Sequence, residues 1–264
     1  MAKTFFCVML LCLAALSGNL AAQDAPAVPA PPSPASFKMD GQYSLNGMIS
    51  LTETHLNSLQ EILEALAMTE NVRSGDWDRM KDILAFVEKR EMPSLVWYAR
   101  PDGSYYAVGM GLTDKSLKDR EYFPKVLAGE MVLGALVISH ATGKKSVIVA
   151  VPVRDGEKVT GVLGASVFLE DLSRVVKAQM TFPDDIVFFA LDSMAQTTLS
   201  WKGERIFLDP TAQGSESMTR AVKEMLSGDQ GEVGFEFEGR TRRMLYRKSP
   251  ALGWSFAVGE IVNP

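Results

Sequence analysis

The hydrophobic pattern of the N-terminal third of the chain has the period of a helix. Apolar side chains recur at spacings of three, four and seven over residues 45–68, which predicts one amphipathic helix, roughly 36 Å long. Ser44 is its expected N-cap. A second helix is predicted over Trp77–Lys89. The stripe of the first helix consists of Leu45, Ile49, Leu56, Leu59, Leu63 and Leu66, and that of the second of Met80, Ile83, Leu84 and Val87.

Beyond residue 93 the pattern changes to short strands separated by turns. The segment "SLVWYARPDGSYYAVG" contains a Pro-Asp-Gly turn between two strand patterns, which predicts a β-hairpin. A short helix is expected from Arg120 to Ala128. Two further strands, "KSVIVAVPV" and "KVTGVLGASVFL", precede a helix in "EDLSRVVKA". Residues 94–177 therefore have the predicted order hairpin, helix, hairpin, helix.

A similar order of elements recurs in smaller form toward the C-terminus. "DIVFFALDS" and "RIFLDP" are predicted strands, followed by a helix over 217–226. Three antiparallel strands are then predicted in "GEVGFEFEG", "TRRMLYRKS" and "GWSFAVGEI". The predicted fold is α+β, with a long N-terminal helix followed by two modules, each an antiparallel sheet with flanking helices.

The first 22 residues are predicted to be a cleaved signal peptide. Their apolar run, Phe5 to Leu16, is too short to span a bilayer as a helix. Small residues follow the run and end this segment. Residues 23–40 are rich in proline and alanine and predict a linker. The remaining boundaries are 41–92 for the N-terminal helices, 93–180 for the first module and 181–264 for the second.

Composition limits the partners and the compartment. The formal net charge of -5 argues against a nucleic-acid partner, which requires a basic surface. Both cysteines, Cys7 and Cys12, lie in the predicted signal peptide. The mature protein is therefore expected to be soluble, periplasmic or secreted, and free of disulfides.

Four motifs, in order, give the chain a resemblance to a known family. "VWYARPDGSYYAVGMGL", "LKDREYFPKVLAG", "SHATGKKSVIVAVPV" and "GVLGASVFLEDL" resemble the double-Cache domains of bacterial chemoreceptors and sensor kinases. The tail "GEVGFEFEGRTRRMLYRKSPALGWSFAVG" is similar to the second module of that family. The resemblance covers roughly 43–261. It implies two PAS-like modules behind a long helix, and binding of small molecules in the first module.

The resemblance also implies a ligand site between the first sheet and the helix that "DRxYF" opens. Arg120 and Tyr122 would hold a ligand from the helix side, while Trp97, Tyr105 and Ser139 would face it from the sheet and a neighbouring loop. A guanidinium can bind a carboxylate through two parallel hydrogen bonds, so an organic anion suits this set.

Structural roles are open for the same side chains. Arg120 could simply pair with Asp119 or Asp114, and Tyr122 could belong to the core. His140, next to Ser139, could donate to a ligand or respond to pH, or could be an ordinary surface residue.

The chain departs from the pattern of amino-acid-binding relatives in this family. Those proteins hold the ammonium group with a tyrosine and an aspartate before the Thr-Gly turn and with an aspartate on the last strand. The corresponding residues here are Val137, Ser139 and Ser166, and Tyr122 replaces a usual tryptophan. A carboxylate without an amine, or a neutral polar compound, is therefore the expected ligand.

An enzyme and an interaction module are the two alternatives to a sensor. An enzyme is disfavoured because the chain has only two histidines, His55 and His140, and neither has a placed serine and acid partner. No metal-ligand spacing occurs, and no cofactor is expected. Alternatively, the long helix could form a homodimer or dock on a partner without a ligand. With no kinase or membrane anchor predicted, a sensor of this kind would signal through a membrane receptor or kinase.

Overall fold

The computed structural model describes residues 40–90 and 92–262, which fold as α+β. The helices are α1 (Gly41–Ala67), α2 (Glu70–Arg73), α3 (Trp77–Arg90), α4 (Phe123–Leu127), α5 (Leu169–Met180), α6 (Pro210–Gln213) and α7 (Glu216–Ser227). The first sheet contains β1 (Ser94–Ala99), β2 (Ser104–Ala107), β3 (Gly111–Ser116), β4 (Val132–Ile138), β5 (Lys145–Asp155) and β6 (Lys158–Phe168). The second contains β7 (Ile186–Leu191), β8 (Thr197–Ser200), β9 (Gln230–Phe237), β10 (Arg240–Lys248) and β11 (Ser255–Val262).

The two sheets have related topologies. The first has the strand order β3-β2-β1-β6-β5-β4, and the second has the order β8-β7-β11-β10-β9. In each sheet the first and last strands of the chain segment are hydrogen-bonded antiparallel neighbours. The first sheet differs by one additional edge strand, β3. The predicted pair of antiparallel sheets behind a long helix is therefore confirmed.

The N-cap of helix α1 lies four residues before the expected one. The side chain of Asp40 accepts a hydrogen bond from the backbone N–H of Gln42, so Asp40 caps the helix. Ser44, the predicted cap, lies inside the first turn, where its hydroxyl donates to the Asp40 carbonyl at 3.0 Å. The prediction was wrong because the apolar periodicity starts at Leu45, whereas the helix itself extends further toward the N-terminus.

The apolar stripe of α1 is part of the core of the molecule. Leu45, Leu56 and Leu63 are 0% exposed, and α1 contacts strands of both sheets, among them β5, β10 and β11. A single apolar cluster joins α1, one face of the first sheet and one face of the second. The apolar stripe is thus buried within the protein. A homodimer formed through α1 would therefore have to use the polar face of this helix.

Several elements differ from the sequence-based expectations. "RIFLDP" is not a strand; it follows a 3-10 turn, and Phe207 within it has a left-handed backbone with φ of 67°. The helix predicted over 120–128 is shorter in the structure, where it is α4 (Phe123–Leu127). Strands β3, β4 and β8 were not predicted. β3 and β4 are edge strands with largely exposed or half-buried side chains, so they lack the continuous apolar pattern of the central strands.

The predicted signal peptide and all but the last residue of the linker lie outside the described residues. No helix in 40–90 or 92–262 combines the length and hydrophobicity needed to span a membrane. The module boundaries remain predictions.

The shared core predicts that both sheets unfold together. Leu56→Ala should lower the free energy of unfolding by about 2–5 kcal/mol, because it removes a fully buried side chain from the cluster that joins α1 to the sheets. Urea denaturation followed by circular dichroism measures this. The control Ser50→Ala, at an exposed position of the same helix, should change stability by no more than about 0.5 kcal/mol. Two separate transitions, or equal effects of the two variants, would contradict the shared core.

Candidate functional site

The central strands of the first sheet have two different buried faces. Alternate side chains of β1, β5 and β6 point toward α1, and the intervening ones point toward α4. On the second face, Phe123 and Val126 of α4 are buried against a small apolar cluster that includes Ile148 and Val162. Phe123 is therefore a core residue. The segment that leads into α4 covers the rest of this face.

All six predicted site residues line one narrow cleft on this face. Arg120 and Tyr122 come from the segment before α4, Trp97 and Tyr105 from β1 and β2, and Ser139 and His140 from the turn after β4. The cleft is completed by Leu95, Leu117, Val137, Ile148 and Ser166. The topology thus brings the six together, while their role in binding stays a prediction.

The Arg120 guanidinium forms a wall of this cleft. Its Nη2 donates to the carbonyl of Ile138 at 2.6 Å, and its Nε is buried without a hydrogen-bond partner. Within the described residues no carboxylate lies within ion-pairing distance of Arg120. The alternative pairing with Asp119 or Asp114 is therefore not formed. Asp114 is instead close to Lys115, and Asp119 is close to His140.

Trp97 forms the aromatic floor of the cleft. Its Nε1 donates to the hydroxyl of Ser166 at 3.2 Å, and its ring centroid is 6.4 Å from the rings of both Tyr105 and Tyr122. The indole lies across Gly164 of β6, where an added Cβ would come within 2.3 Å of the ring. A glycine at this position therefore makes room for the floor.

Both tyrosines of the cleft are neutral hydroxyl groups near pH 7. Burial raises the pKa of Tyr122, and the nearby Arg120 opposes this only in part. Burial also raises the pKa of Tyr105. Each phenol can thus donate a hydrogen bond to a bound group as well as accept one.

Ser139 and His140 shape the loop beside Arg120. The Ser139 hydroxyl accepts from the backbone N–H of Thr142 at 3.3 Å, which closes the turn before β5. His140 Nδ1 is 3.1 Å from the Ser116 carbonyl, and its Nε2 is 3.9 Å from an oxygen of Asp119. The two residues are neighbours without a mutual hydrogen bond, so they do not form a nucleophile–base pair.

The cleft contains little free space. The volume that the centre of a water molecule can occupy is about 10 Å³, which is enough for about one water molecule. The hydrogen bond from Arg120 to the Ile138 carbonyl joins the segment before α4 to the end of β4 across the wall of this cleft.

Sequence reasoning missed three lining residues, Leu95, Leu117 and Ile148. Strand alternation could have found Leu95, which lies two residues before Trp97 and so shares its face. Ile148 could be assigned only from the pairing of β5 with β6, which places it opposite Ser166. Among the described residues there is no cluster of three or more His, Cys, Asp or Glu that could hold a metal ion.

The chain is similar in structure to known proteins. No family model and no curated protein sequence matches the chain. The ligand-binding domain of the Pseudomonas aeruginosa amino acid chemoreceptor PctB, in complex with L-Arg, matches at a TM-score of 0.67 and 15% identity, over 83% of this chain and 93% of that one. The domain of Pseudomonas fluorescens CtaA, with L-serine, matches at 0.64 and 14%, over 84% and 93%. The sensor domain of the Vibrio cholerae histidine kinase DctB matches at 0.60 and 14%, over 84% and 96%.

The chain has the fold of these sensor domains. The resemblance to double-Cache domains that the motifs indicated is confirmed at the level of the fold. The matched structures are sensory ligand-binding domains of chemoreceptors and histidine kinases rather than enzymes, which fits the expectation of a protein without catalytic activity.

The contact between Trp97 and Gly164 generates a prediction about the cleft. Gly164→Ala should push the indole away from Ser166 and lower the free energy of unfolding by about 1–3 kcal/mol, because a methyl group has no room there. Chemical denaturation and tryptophan fluorescence report both effects. Gly234→Ala is the control, since its Cβ would meet its nearest neighbour at an ordinary 3.8 Å. An unshifted spectrum with unchanged stability would rule out the close packing.

Proposed function

We propose that the protein is an exported sensor domain without enzymatic activity, which binds a small organic acid in the cleft around Arg120 and signals through a partner. The state of Arg120 carries this proposal. Among the described residues, its guanidinium has one hydrogen bond, a buried Nε without a partner and no carboxylate within ion-pairing distance, and it lines the cleft together with aromatic residues. A ligand carboxylate would supply the missing charge and acceptors.

The energetics favour an anion at this position. A hydrogen bond to a charged group contributes about 1.5–3 kcal/mol when it is shielded from water, compared with about 0–1 kcal/mol for an exposed ion pair. The phenols of Tyr105 and Tyr122 can donate to the same carboxylate, and the floor formed by Trp97 can cover the apolar part of the ligand. The cleft thus suits a short acid.

The side chains of the cleft argue against an α-amino acid. PctB and CtaA were solved with amino acids bound, which supports a ligand that carries a carboxylate. The residues that line this cleft include no aspartate or glutamate, and Val137, Ser139 and Ser166 stand where amino-acid-binding Cache domains are expected to hold the ammonium. An ammonium here would lose its hydration without gaining a counter-ion.

Transmission of the signal requires a second molecule in this proposal. A membrane receptor or kinase would read the domain, as the presence of the same fold in chemoreceptors and kinases suggests. The competing idea of an interaction module that dimerises through the apolar stripe of α1 is less well supported, because that stripe is buried against both sheets.

Binding of a simple acid should stabilise the protein. Propanoate or L-lactate at about 100 times its dissociation constant should add about 2.7 kcal/mol to the free energy of unfolding, and so raise the melting temperature by about 5–11 °C. L-Alanine, which has the carbon skeleton of propanoate and an added ammonium group, should bind more weakly. Differential scanning fluorimetry over a panel of short carboxylates, followed by calorimetry, measures both.

Arg120→Gln is the decisive variant for this test. It should reduce or abolish the shift, whereas the control Arg174→Gln, at a largely exposed surface arginine, should respond like wild type. If no acid of the panel raises the midpoint, or if Arg120→Gln responds like wild type, the proposed site is wrong.

Adding a carboxylate to the cleft should change its selectivity. Ser166→Asp places an anion beside Trp97, where it could meet an ammonium group, so the affinity for L-alanine relative to propanoate should rise at least about 10-fold. Calorimetric titration of both ligands gives the ratio, and Ser94→Asp, on the same sheet but outside the cleft lining, is the comparison. A ratio that does not change in Ser166→Asp would mean that the ligand amine does not reach this strand.

A further inference from the structure

A second cavity lies on the second sheet, far along the chain from the Arg120 cleft. It is formed by β7, β8, the loop after β8, α7 and the end of β9, and about 40 Å³ of it is open to the centre of a water molecule. Its walls are mainly aromatic and aliphatic, with Thr197 and Ser200 as hydroxyl groups and Arg205 as the cation. The aromatic residues are Phe189, Trp201, Phe235 and Phe237.

Arg205 is held in the cavity wall by two rings and one acid. Its guanidinium carbon is 4.9 Å from the ring centroid of Trp201 and 4.2 Å from that of Phe237. Its Nη2 donates to Glu238, the only hydrogen bond that this side chain makes within the described part of the chain. The side chain is 18% exposed. Most of the guanidinium N–H donors are therefore left for another acceptor.

The charges around this cavity are unbalanced. Glu238 lies within ion-pairing distance of three cations, Arg205, Lys202 at 3.4 Å and Arg242 at 4.0 Å, and no second carboxylate in the described part of the chain pairs with any of them. Arg242 is only 3% exposed, and its Nε is buried without a partner. These cations lower the pKa of the Glu238 carboxyl, which burial alone would raise. One further negative charge would be favourable here.

Two residues beside the cavity have backbone dihedrals in the left-handed region, with φ of 52° at Glu238 and 67° at Phe207. Glu238 and Gly239 are the two central residues of the hairpin turn between β9 and β10, where such angles are usual. This turn brings the Glu238 carboxylate to Arg205, and Phe207 lies in the loop that follows β8.

We infer that this cavity is a second ligand site, which takes a small anion with a flat apolar body, such as an aromatic carboxylate. The carboxylate would bind the free donors of Arg205 beside Glu238, with the Ser200 hydroxyl, which only accepts a hydrogen bond from the Lys202 N–H, as a further donor. The body would lie among the four aromatic rings, where cation–π and ring contacts favour a planar group. The site has its own cation and its own walls, and it shares no residue with the Arg120 cleft.

Benzoate and benzamide are matched probes for this site, because they have the same ring and differ in charge. Calorimetry on the whole protein should give benzoate an affinity at least about 10-fold higher than benzamide, since only benzoate has a negative charge and two equivalent acceptor oxygens that can form an ion pair with Arg205. Trp201 lines the cavity, so benzoate should change the tryptophan fluorescence of the wild type and much less that of Trp201→Phe.

Three variants separate this site from its alternatives. Arg205→Gln should weaken benzoate at least about 10-fold, and Leu208→Phe, which fills the cavity without changing a charge, should do the same. Arg220→Gln, a largely exposed arginine on α7, should bind like wild type. The inference is wrong if benzoate and benzamide bind equally, if neither binds, or if Leu208→Phe binds like wild type. It is also wrong if benzoate binding depends on Arg120 rather than Arg205, a result that would leave the proposed function intact.

Discussion

Burial of the first sheet on both faces is the constraint on which the rest of the structure depends. One face continues through α1 into a core that it shares with the second sheet. The other face is filled by α4 and by large rings, and Arg120 lies beside them because the chain enters α4 there. A polar cleft can exist on this face because the first face already supplies the core. The cleft proposed for binding thus lies on the opposite side of these strands from the core shared with the second sheet.

The two sheets use one topology in different ways. In both, the first and last strands of the segment pair at the centre, so a helix can cover each outer face. In the first sheet the short helix α4 leaves room beside it for the cleft around Arg120. In the second, the longer α7 packs on β9, and the cavity lies toward β8 and the loop that follows. Each cavity contains an arginine next to aromatic rings, but only Arg205 has an acidic partner.

The difference in partners suggests two kinds of anion site. Arg120 bonds to a main-chain carbonyl, a contact that costs little to exchange for a stronger carboxylate acceptor. Arg205 is fixed by Glu238 and by two rings, so a ligand would add to the arrangement rather than replace a bond. In the function proposed above, a ligand at Arg120 would compete with the contact that joins the segment before α4 to the end of β4, whereas a ligand at Arg205 would leave the bond to Glu238 in place.

The pattern of side chains along short segments of the sequence determined many of the helices and strands. The stripe of α1, the Pro-Asp-Gly hairpin and the central apolar strands follow from side-chain period and turn chemistry, and the order of motifs indicated the sensor fold. Tertiary structure decided the rest. Edge strands β3 and β4 lack a strong pattern because pairing rather than burial holds them, whereas β8 is buried but consists of four residues, three of them Thr or Ser. The Asp40 cap lies outside the apolar period. Whether Arg120 would pair with Asp119 depended on the tertiary structure, because the Ile138 carbonyl that Arg120 binds and the His140 ring near Asp119 come into reach only when the sheet closes.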